Sequence, residues 1–511
     1  MDFQLPFEAP SIEYALIAPV LVVLVAAIIG VLVEAIAPAA YRRTLQLLLS
    51  FGSLAIALAL AIRLWDARAV VAEGALVVDG PSVILQITIL ALSLLGALLM
   101  AESKVDPAGD GFASRASTVP GSQEEQDFRN HRQTEIWPLF GFAVSGMLLF
   151  PAANDLLTAF VALEILSLPL YLLTGMARRR RLLSQEAALK YFVLGAFSSA
   201  VFLFGAALVY AATGSLTFSD IATALSQDPT MDVLFLAGIG LLLVGLLFKV
   251  GAAPFHQWSP DVYQGAPTSL TAFMSAATKV AGFGALLRLF YAAFDGAAWD
   301  WQPAIAAVAI ISMVVGSVSA LVQSDIKRIL AYSSVAHAGF ILVGVLATSP
   351  RGLAGTLTYL VTYGFISLAA FAVITVVRGP AGEATQVEQW RGLGRRSPLT
   401  AAVFTLFLLT MAGLPLTSGF TAKFATLSAA WGGWQSIVVI VAAVTSTIAA
   451  YFYLRIIVAM WFAEPADEVA VVLPSIGTRV AVGVGVVSAV LFGVLPQSLL
   501  SAVEQAGVFI R

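Results

Sequence analysis

The sequence predicts an all-α polytopic membrane protein of about fourteen transmembrane helices, with two inverted five-helix repeats that each contain a broken helix. Three observations carry this. Apolar residues make up 59% of the 511 and charged residues only 11%, against about 25% charged in an ordinary soluble domain. Apolar runs of spanning length recur along the whole chain. Proline interruptions fall at matching places in its two halves.

A helix needs about 20 apolar residues to cross the hydrocarbon layer. Runs of that kind lie near 13–36, 44–62, 81–100, 135–152, 154–176, 185–213, 232–265, 267–294, 303–322, 327–347, 352–378, 398–430, 434–462 and 478–500. They far exceed the roughly 10-residue strands of a membrane barrel. The N-terminus carries Asp2, Glu8 and Glu13 and no Lys or Arg before Arg42. A secretory signal needs a basic start, so a retained span is expected. The net charge of -3 indicates no general attraction to nucleic acid.

Positive charge sets the expected orientation. Loops after odd-numbered runs hold seventeen Lys and Arg: Arg42, Arg43, Lys104, Arg115, Arg129, Arg132, Arg178 to Arg181, Lys327, Arg328, Arg378, Arg391, Arg395, Arg396 and Arg479. Loops after even-numbered runs hold three, Arg63, Arg68 and Arg351. Positive loops stay in the cytoplasm, so both termini are expected on the outer side of a bacterial cell membrane.

The organisation read from these runs is an N-terminal three-helix segment (1–100), a polar cytoplasmic insert (101–134), a first repeat (135–294), a second inverted repeat (303–462) and a C-terminal helix (478–511). The insert, "SKVDPAGDGFASRASTVPGSQEEQDFRNHR", has the composition of a partly disordered loop. It shows no binding motif, and His131 reads there as a solvated residue.

The runs 232–265 and 398–430 are too long for one straight crossing. Gly251-Ala252-Ala253-Pro254 interrupts the first and Gly413-Leu414-Pro415 the second. Proline removes a backbone donor and clashes with the preceding turn. The freed backbone is tolerated at membrane depth only inside protein or beside a polar cavity. Each break falls in the fourth helix of a five-helix block, and the two prolines lie 161 residues apart. Five is odd, so the second block enters from the opposite side, as in many ion-coupled transporters.

Six Lys and Arg remain inside runs, Lys190, Lys249, Lys279, Arg288, Lys423 and Arg455, and Glu164 is the clearest mid-span acid. An ionisable group at the bilayer centre costs a few kcal/mol, and such groups usually face the bundle interior or a wet cavity. Lys249 precedes the first break by five residues and Lys423 follows the second by eight. Lys279 is flanked by Thr278 and small residues. Glu164 is the natural counter-charge, and a Lys that gains and loses such a partner can take up and release a proton. Static salt bridges pinning the helices together are the competing reading. Lys190 is the weakest member, because Glu186 offers a helical i,i+4 pair near the interface. Arg288 and Arg455 are expected to snorkel to a surface.

His337 lies one turn after Ser333 and Ser334 and suits proton transfer; a hydrogen-bonded helix contact fits it as well. His256 in the first break could relay protons or satisfy loose backbone. Asp261 and Tyr263 read as loop-capping groups. Glu34 could face a neighbouring subunit or be an ordinary interfacial carboxylate.

The chain has no Cys, three His, no G-x-G-x-x-G and no G-x-x-x-x-G-K-[ST]. No disulfide, redox centre, metal site, nicotinamide site or ATP site can be built from it. A proton relay here needs an ion gradient or a partner to drive it.

Five segments carry a resemblance: "LEILSLPLYLLTG" around Glu164, "EAALKYFVLGAFSSA" around Lys190, "FKVGAAPFHQWSPDVYQGAPT" from Phe248, "KRILAYSSVAHAGF" from Lys327 and "GLPLTSGFTAKF" ending at Phe424. Over residues 135–462 the chain resembles the antiporter-like membrane subunits of respiratory complex I. Lys423, where several relatives have an acid, and the short tail point to one subgroup. The insert resembles the form in high-GC Gram-positive bacteria. The resemblance implies proton pumping driven by NADH oxidation and quinone reduction in other subunits. The catalytic set carried over by motif is Glu164, Lys249, Lys279, Lys423, His337 and Lys190. Glu164 and Lys249 would form the charge pair of the first half, Lys279 the connecting lysine and Lys423 the exit-side terminus. No cofactor is implied in this chain; NADH, flavin, iron–sulfur clusters and quinone are expected in partner subunits. Other complex I membrane subunits and the bilayer are the expected partners. A subunit of a multi-subunit cation/proton antiporter is the alternative, and a structural scaffold a third reading.

Overall fold

The computed structural model describes residues 12–106, 109–113, 122–123, 133–227, 233–380, 382–465 and 469–510. His131, and most of the polar insert with it, lies outside them.

Among the described residues, twelve helices are long and apolar enough to cross a membrane, and two shorter apolar helices, Ile136–Ala152 and Pro398–Ala412, join them. Their order follows the fourteen runs. The starts are set by local chemistry. Asp79, Asp155, Asp325 and Ser349 each accept a hydrogen bond from a first-turn backbone N–H through the side chain, which satisfies a donor that has no partner within the helix.

Both expected breaks are present. Val233–Val250 ends at Gly251, and the chain resumes as Trp258–Gly265. Pro398–Ala412 ends at Gly413 and resumes as Ser418–Ala429. Gly251 has φ +70° and Gly413 φ +88°, left-handed values that a side chain disfavours. At Gly413 space matters too: a Cβ there would stand 2.9 Å from the Lys423 side chain.

Depth in the bundle sorts the spans. Thr268–Ala293 is buried except for Tyr291, and most of Ile326–Leu346 and Pro350–Val376 is buried as well. These three are among the least apolar spans. Tyr14–Ile36, the most apolar, is only 28% buried. Lipid-facing helices must be apolar, whereas interior ones can carry polar groups that their neighbours satisfy. The only strands among the described residues are short and lie between spans. Ala69–Val71 pairs antiparallel with Leu76–Val78, and Val377–Gly379 pairs antiparallel with Gly382–Glu383 on one side and Ala470–Val471 on the other.

Three expectations change. The last span, Ile476–Val494, stops at Leu495-Pro496, and a separate helix follows, Gln497–Ala506. Arg288 does not snorkel. It is fully buried, with Nη2 2.7 Å from the equally buried Asp79 Oδ1 and Nε donating to the Pro151 carbonyl at 2.6 Å. Asp79 Oδ2 also accepts from the backbone N–H of Ile510, and the Arg288 guanidinium lies 4.6 Å from the Phe509 ring. One buried ion pair thus ties the third span, the eighth span and the C-terminal tail. Arg455 does not snorkel either; it donates to the carbonyls of Leu321 at 2.7 Å and Gln323 at 2.5 Å, closing the end of Ala298–Leu321.

Candidate functional site

His337 lies on Ile326–Leu346, the helix that holds "YSSVAH", and Lys279 and Lys423 both contact it. Lys249 and Lys279 are 3% exposed, His337 5% and Lys423 7%.

Lys249 is the second-last residue before the first break. Its Nζ donates to Ser167 Oγ at 2.8 Å, and Ser167 Oγ donates to the Leu163 carbonyl. Ser167 stands one turn after Glu164 on the same helix, so both face Lys249. Glu164 and Lys249 form no direct ion pair; Lys249 is on the serine instead. Glu164 Oε1 is buried and has no hydrogen-bond partner among the described residues. The charge pair expected from the motif is therefore open, with the Ser167 hydroxyl holding the lysine instead.

Lys279 follows a π-helical turn, Met274–Thr278, a distortion that recurs at functional sites. Its Nζ donates to two carbonyls at 2.8 Å, Val250 before the first break and Ser334 on the central helix. Three residues further, His337 places Nδ1 2.7 Å from Tyr359 Oη and Nε2 3.3 Å from Tyr453 Oη. The Tyr453 hydroxyl is also hydrogen-bonded to Ser333.

Lys423 closes the row. Its Nζ donates to Ala412 O and Ser446 Oγ, each at 2.9 Å, and lies 4.6 Å from the centre of the Phe340 ring. Ala412 is the last residue before the second break, as Val250 is before the first. Each break frees a carbonyl, and a lysine ammonium occupies each. A cavity of about 20 Å³, bordered by His337, Tyr359, Thr410 and Ser418, lies between the histidine and the second break. It has room for a water.

Other sequence candidates stand elsewhere. Lys190 is 43% exposed and pairs with Glu186 at 2.7 Å and Asp261 at 2.8 Å. Asp261 is no loop cap; it bridges Lys190 to Arg328, 2.6 Å away. Tyr263 is buried. His256 keeps Nδ1 buried without a partner among the described residues. Glu34 is held inside the chain, accepting from Gln46 at 2.7 Å and Thr134 at 2.9 Å. Among the described residues no group of three His, Asp or Glu could hold a metal ion.

Sequence reasoning missed Ser167, Tyr359, Tyr453 and Ser446. A signal existed for two of them. Ser167 is one turn from Glu164, and Tyr359 belongs to a stripe of Thr358, Tyr359, Thr362 and Tyr363 at helical spacing on an apolar span. Tyr453 and Ser446 carried none.

Comparison with known proteins followed the same lines. Residues 153–450 match the family described as NADH:quinone oxidoreductase/Mrp antiporter, TM. The chain is 53% identical to NADH-quinone oxidoreductase subunit N of Rhodococcus opacus (strain B4), across 98% of this chain and 97% of that protein. It is 54% identical to the protein of the same name from Parafrankia sp. (strain EAN1pec), with the same coverage. Among solved structures it is similar to a chain of respiratory complex I from Thermus thermophilus with bound aureothin (TM-score 0.76, 34% identity, 95% of this chain and 99% of that one). It also shares its fold with a chain of the Mrp complex from Dietzia sp. DQ12-45-1b (TM-score 0.80, 23% identity, 97% of each).

Proposed function

From the premise that the chain belongs to the NADH-quinone oxidoreductase subunit N family, we propose that it moves protons across the membrane within that complex. The energy comes from NADH oxidation and quinone reduction in partner subunits, which would hold the NADH site, flavin, iron–sulfur clusters and quinone.

The single observation that carries the reading is the row Lys249, Lys279, His337 and Lys423 on serine, tyrosine and freed-carbonyl partners. A buried ammonium has strong reason to lose its proton unless a partner stabilises the charge. Here the partners are neutral hydroxyls and carbonyls, so each lysine is held in place without a carboxylate that would lock it charged. In the proposed relay Glu164 tunes Lys249 by approaching or withdrawing. Lys279 connects, His337 hands over through the phenols of Tyr359 and Tyr453, and Lys423 releases. Lys190, in its exposed ion-pair network, marks the rim of this axis. The two broken helices at matching positions support a division into 135–294 and 303–462 as inverted units. The lysine- and arginine-rich loops support termini on the outer side.

The test is Lys249→Ala in the assembled complex reconstituted into liposomes. NADH-driven proton uptake is expected to fall by roughly 100-fold, the scale of a lost proton-transfer group, while assembly persists. Unchanged uptake would favour the scaffold reading. Sodium-dependent proton flux without NADH oxidation would favour the cation/proton antiporter.

A further inference from the structure

A second polar cluster lies at the face that carries Arg178 to Arg181 and Arg378. It surrounds a cavity of about 90 Å³ whose lining includes Asp106, Thr268, Lys327, Arg378 and Glu383. That volume holds several waters. The relay described above does not use it.

Lys327 opens the central helix and is 3% exposed. Its Nζ donates to the Ala266 carbonyl at 2.9 Å and to Thr268 Oγ1 at 3.1 Å. Thr268 Oγ1 in turn donates to Glu383 Oε2. The Glu383 side chain is 26% exposed and stands 3.6 Å from Arg378. Arg378 is held from behind by Asp106, 2.5 Å away, which also grips Arg179 at 2.8 Å. An unbroken hydrogen-bond chain therefore runs from a partly exposed acid at the cavity to a buried lysine. Seven residues further along the Lys327 helix stands Ser334, whose carbonyl holds Lys279. That is two turns, about 10 Å.

We propose that this cavity is the aqueous port of the relay, with Glu383 as the proton-collecting acid and Thr268 as the bridge to Lys327. The inference rests on the proton-translocation reading above. The chain as it stands, ammonium to hydroxyl to carboxylate, is the loaded state. When Lys327 has passed a proton inward, Glu383 takes one from cavity water. The protonated acid then donates to Thr268 Oγ1, and the Thr268 hydroxyl gives its own proton to the neutral Lys327 amine. The Thr268 hydroxyl turns toward Lys327 for this step, gains one proton and loses one, and the transfer itself restores the loaded state of ammonium, hydroxyl and carboxylate.

The experiment uses the assembled complex in liposomes, with NADH-driven proton uptake as the readout. Glu383→Gln is expected to cut uptake by roughly tenfold or more, and Glu383→Asp to retain most of it. Added formate, a small acid that fits the cavity, is expected to restore the Gln variant. Thr268→Val keeps the shape and removes the bridge; it is expected to lose uptake and not respond to formate. Full activity in Glu383→Gln, or a loss that neither aspartate nor formate repairs, would overturn the port. A Lys249→Ala control separates the two readings. If that variant is dead while Glu383→Gln is fully active, only the port fails. If Lys249→Ala pumps normally, the translocation reading itself fails.

Discussion

Lys279 Nζ sits 2.8 Å from the carbonyl oxygen of Val250, the last residue before the helix breaks at Gly251. Lys423 Nζ repeats the relationship at the second break, 2.9 Å from Ala412 O. The breaks supply acceptors that are strong enough to hold an ammonium and neutral enough to let it discharge. Lys279→Ala is expected to abolish proton uptake. Lys279→Arg is expected not to rescue it, because a guanidinium keeps its proton under all working conditions. A fully active Arg variant, measured with a pH-sensitive dye in liposomes, would mean the position needs charge alone.

His337 is held by two phenols, and a glutamine can keep one such hydrogen bond without shuttling a proton. His337→Gln is expected to lower uptake by roughly tenfold or more. Its thermal stability should stay within about 1.5 kcal/mol of the parent, the net worth of a hydrogen bond. Wild-type uptake in this variant would reduce His337 to a helix contact.

Lys190 offers the contrast. Its pairs with Glu186 and Asp261 are solvent-exposed, and such pairs contribute no more than about 1 kcal/mol. Lys190→Ala is expected to assemble and to pump at a rate well above that of Lys249→Ala. Equal loss in the two variants, compared side by side, would place Lys190 inside the relay.

Asp79 and Arg288 form a wholly buried pair. Removing one partner strands the other charge, at a cost of about 3–5 kcal/mol. Asp79→Ala should therefore unfold in detergent well below the parent temperature. The double variant Asp79→Leu with Arg288→Met should recover much of the loss, since apolar replacement of both partners removes the desolvation penalty. Thermal unfolding of the three proteins decides it; equal stability of all three would mean the pair is energetically silent.

Glu102 anchors the last span. Burial opposes its charge, but hydrogen bonds from Ser475 Oγ, Thr478 Oγ1 and the backbone N–H groups of Lys104 and Ser475 outweigh it and hold the carboxyl below its usual range. A carboxyl lowered on folding contributes stability above its unfolded value of about 4.3 and loses it as pH falls through the lower folded value. Hydrogen exchange at Ser475 to Arg479 is expected to stay slow at neutral pH and to quicken only in that acid range. In Glu102→Gln it should be faster at neutral pH and lose the acid dependence. A parent whose exchange quickens near neutrality would contradict the anchor.

Much of this molecule was legible before any coordinates. Spans are legible because insertion into lipid is a local property of about 20 residues. The breaks are legible because glycine and proline act on their own backbone. Lys249, Lys279, His337 and Lys423 stood out because a polar group in an apolar run is costly wherever it ends up. The partners were not legible in the same way. Ser167 and Tyr359 left a helical-spacing trace, whereas Tyr453 and Ser446 look like any polar residue on a long apolar helix.

By itself the sequence determined the membrane class, the helix order, the two breaks and which charges had to be accommodated inside, since each follows from composition and short-range pattern. The tertiary structure alone decided which charges meet. It buried Arg288 on Asp79, residues 209 positions apart, and moved Lys190 to an exposed network. It opened the Glu164–Lys249 pair across Ser167 and brought Glu383 to Thr268 and Lys327. The physical reason is one of range. A side chain's cost in lipid depends on its neighbours in sequence, but its partner depends on which helices pack together.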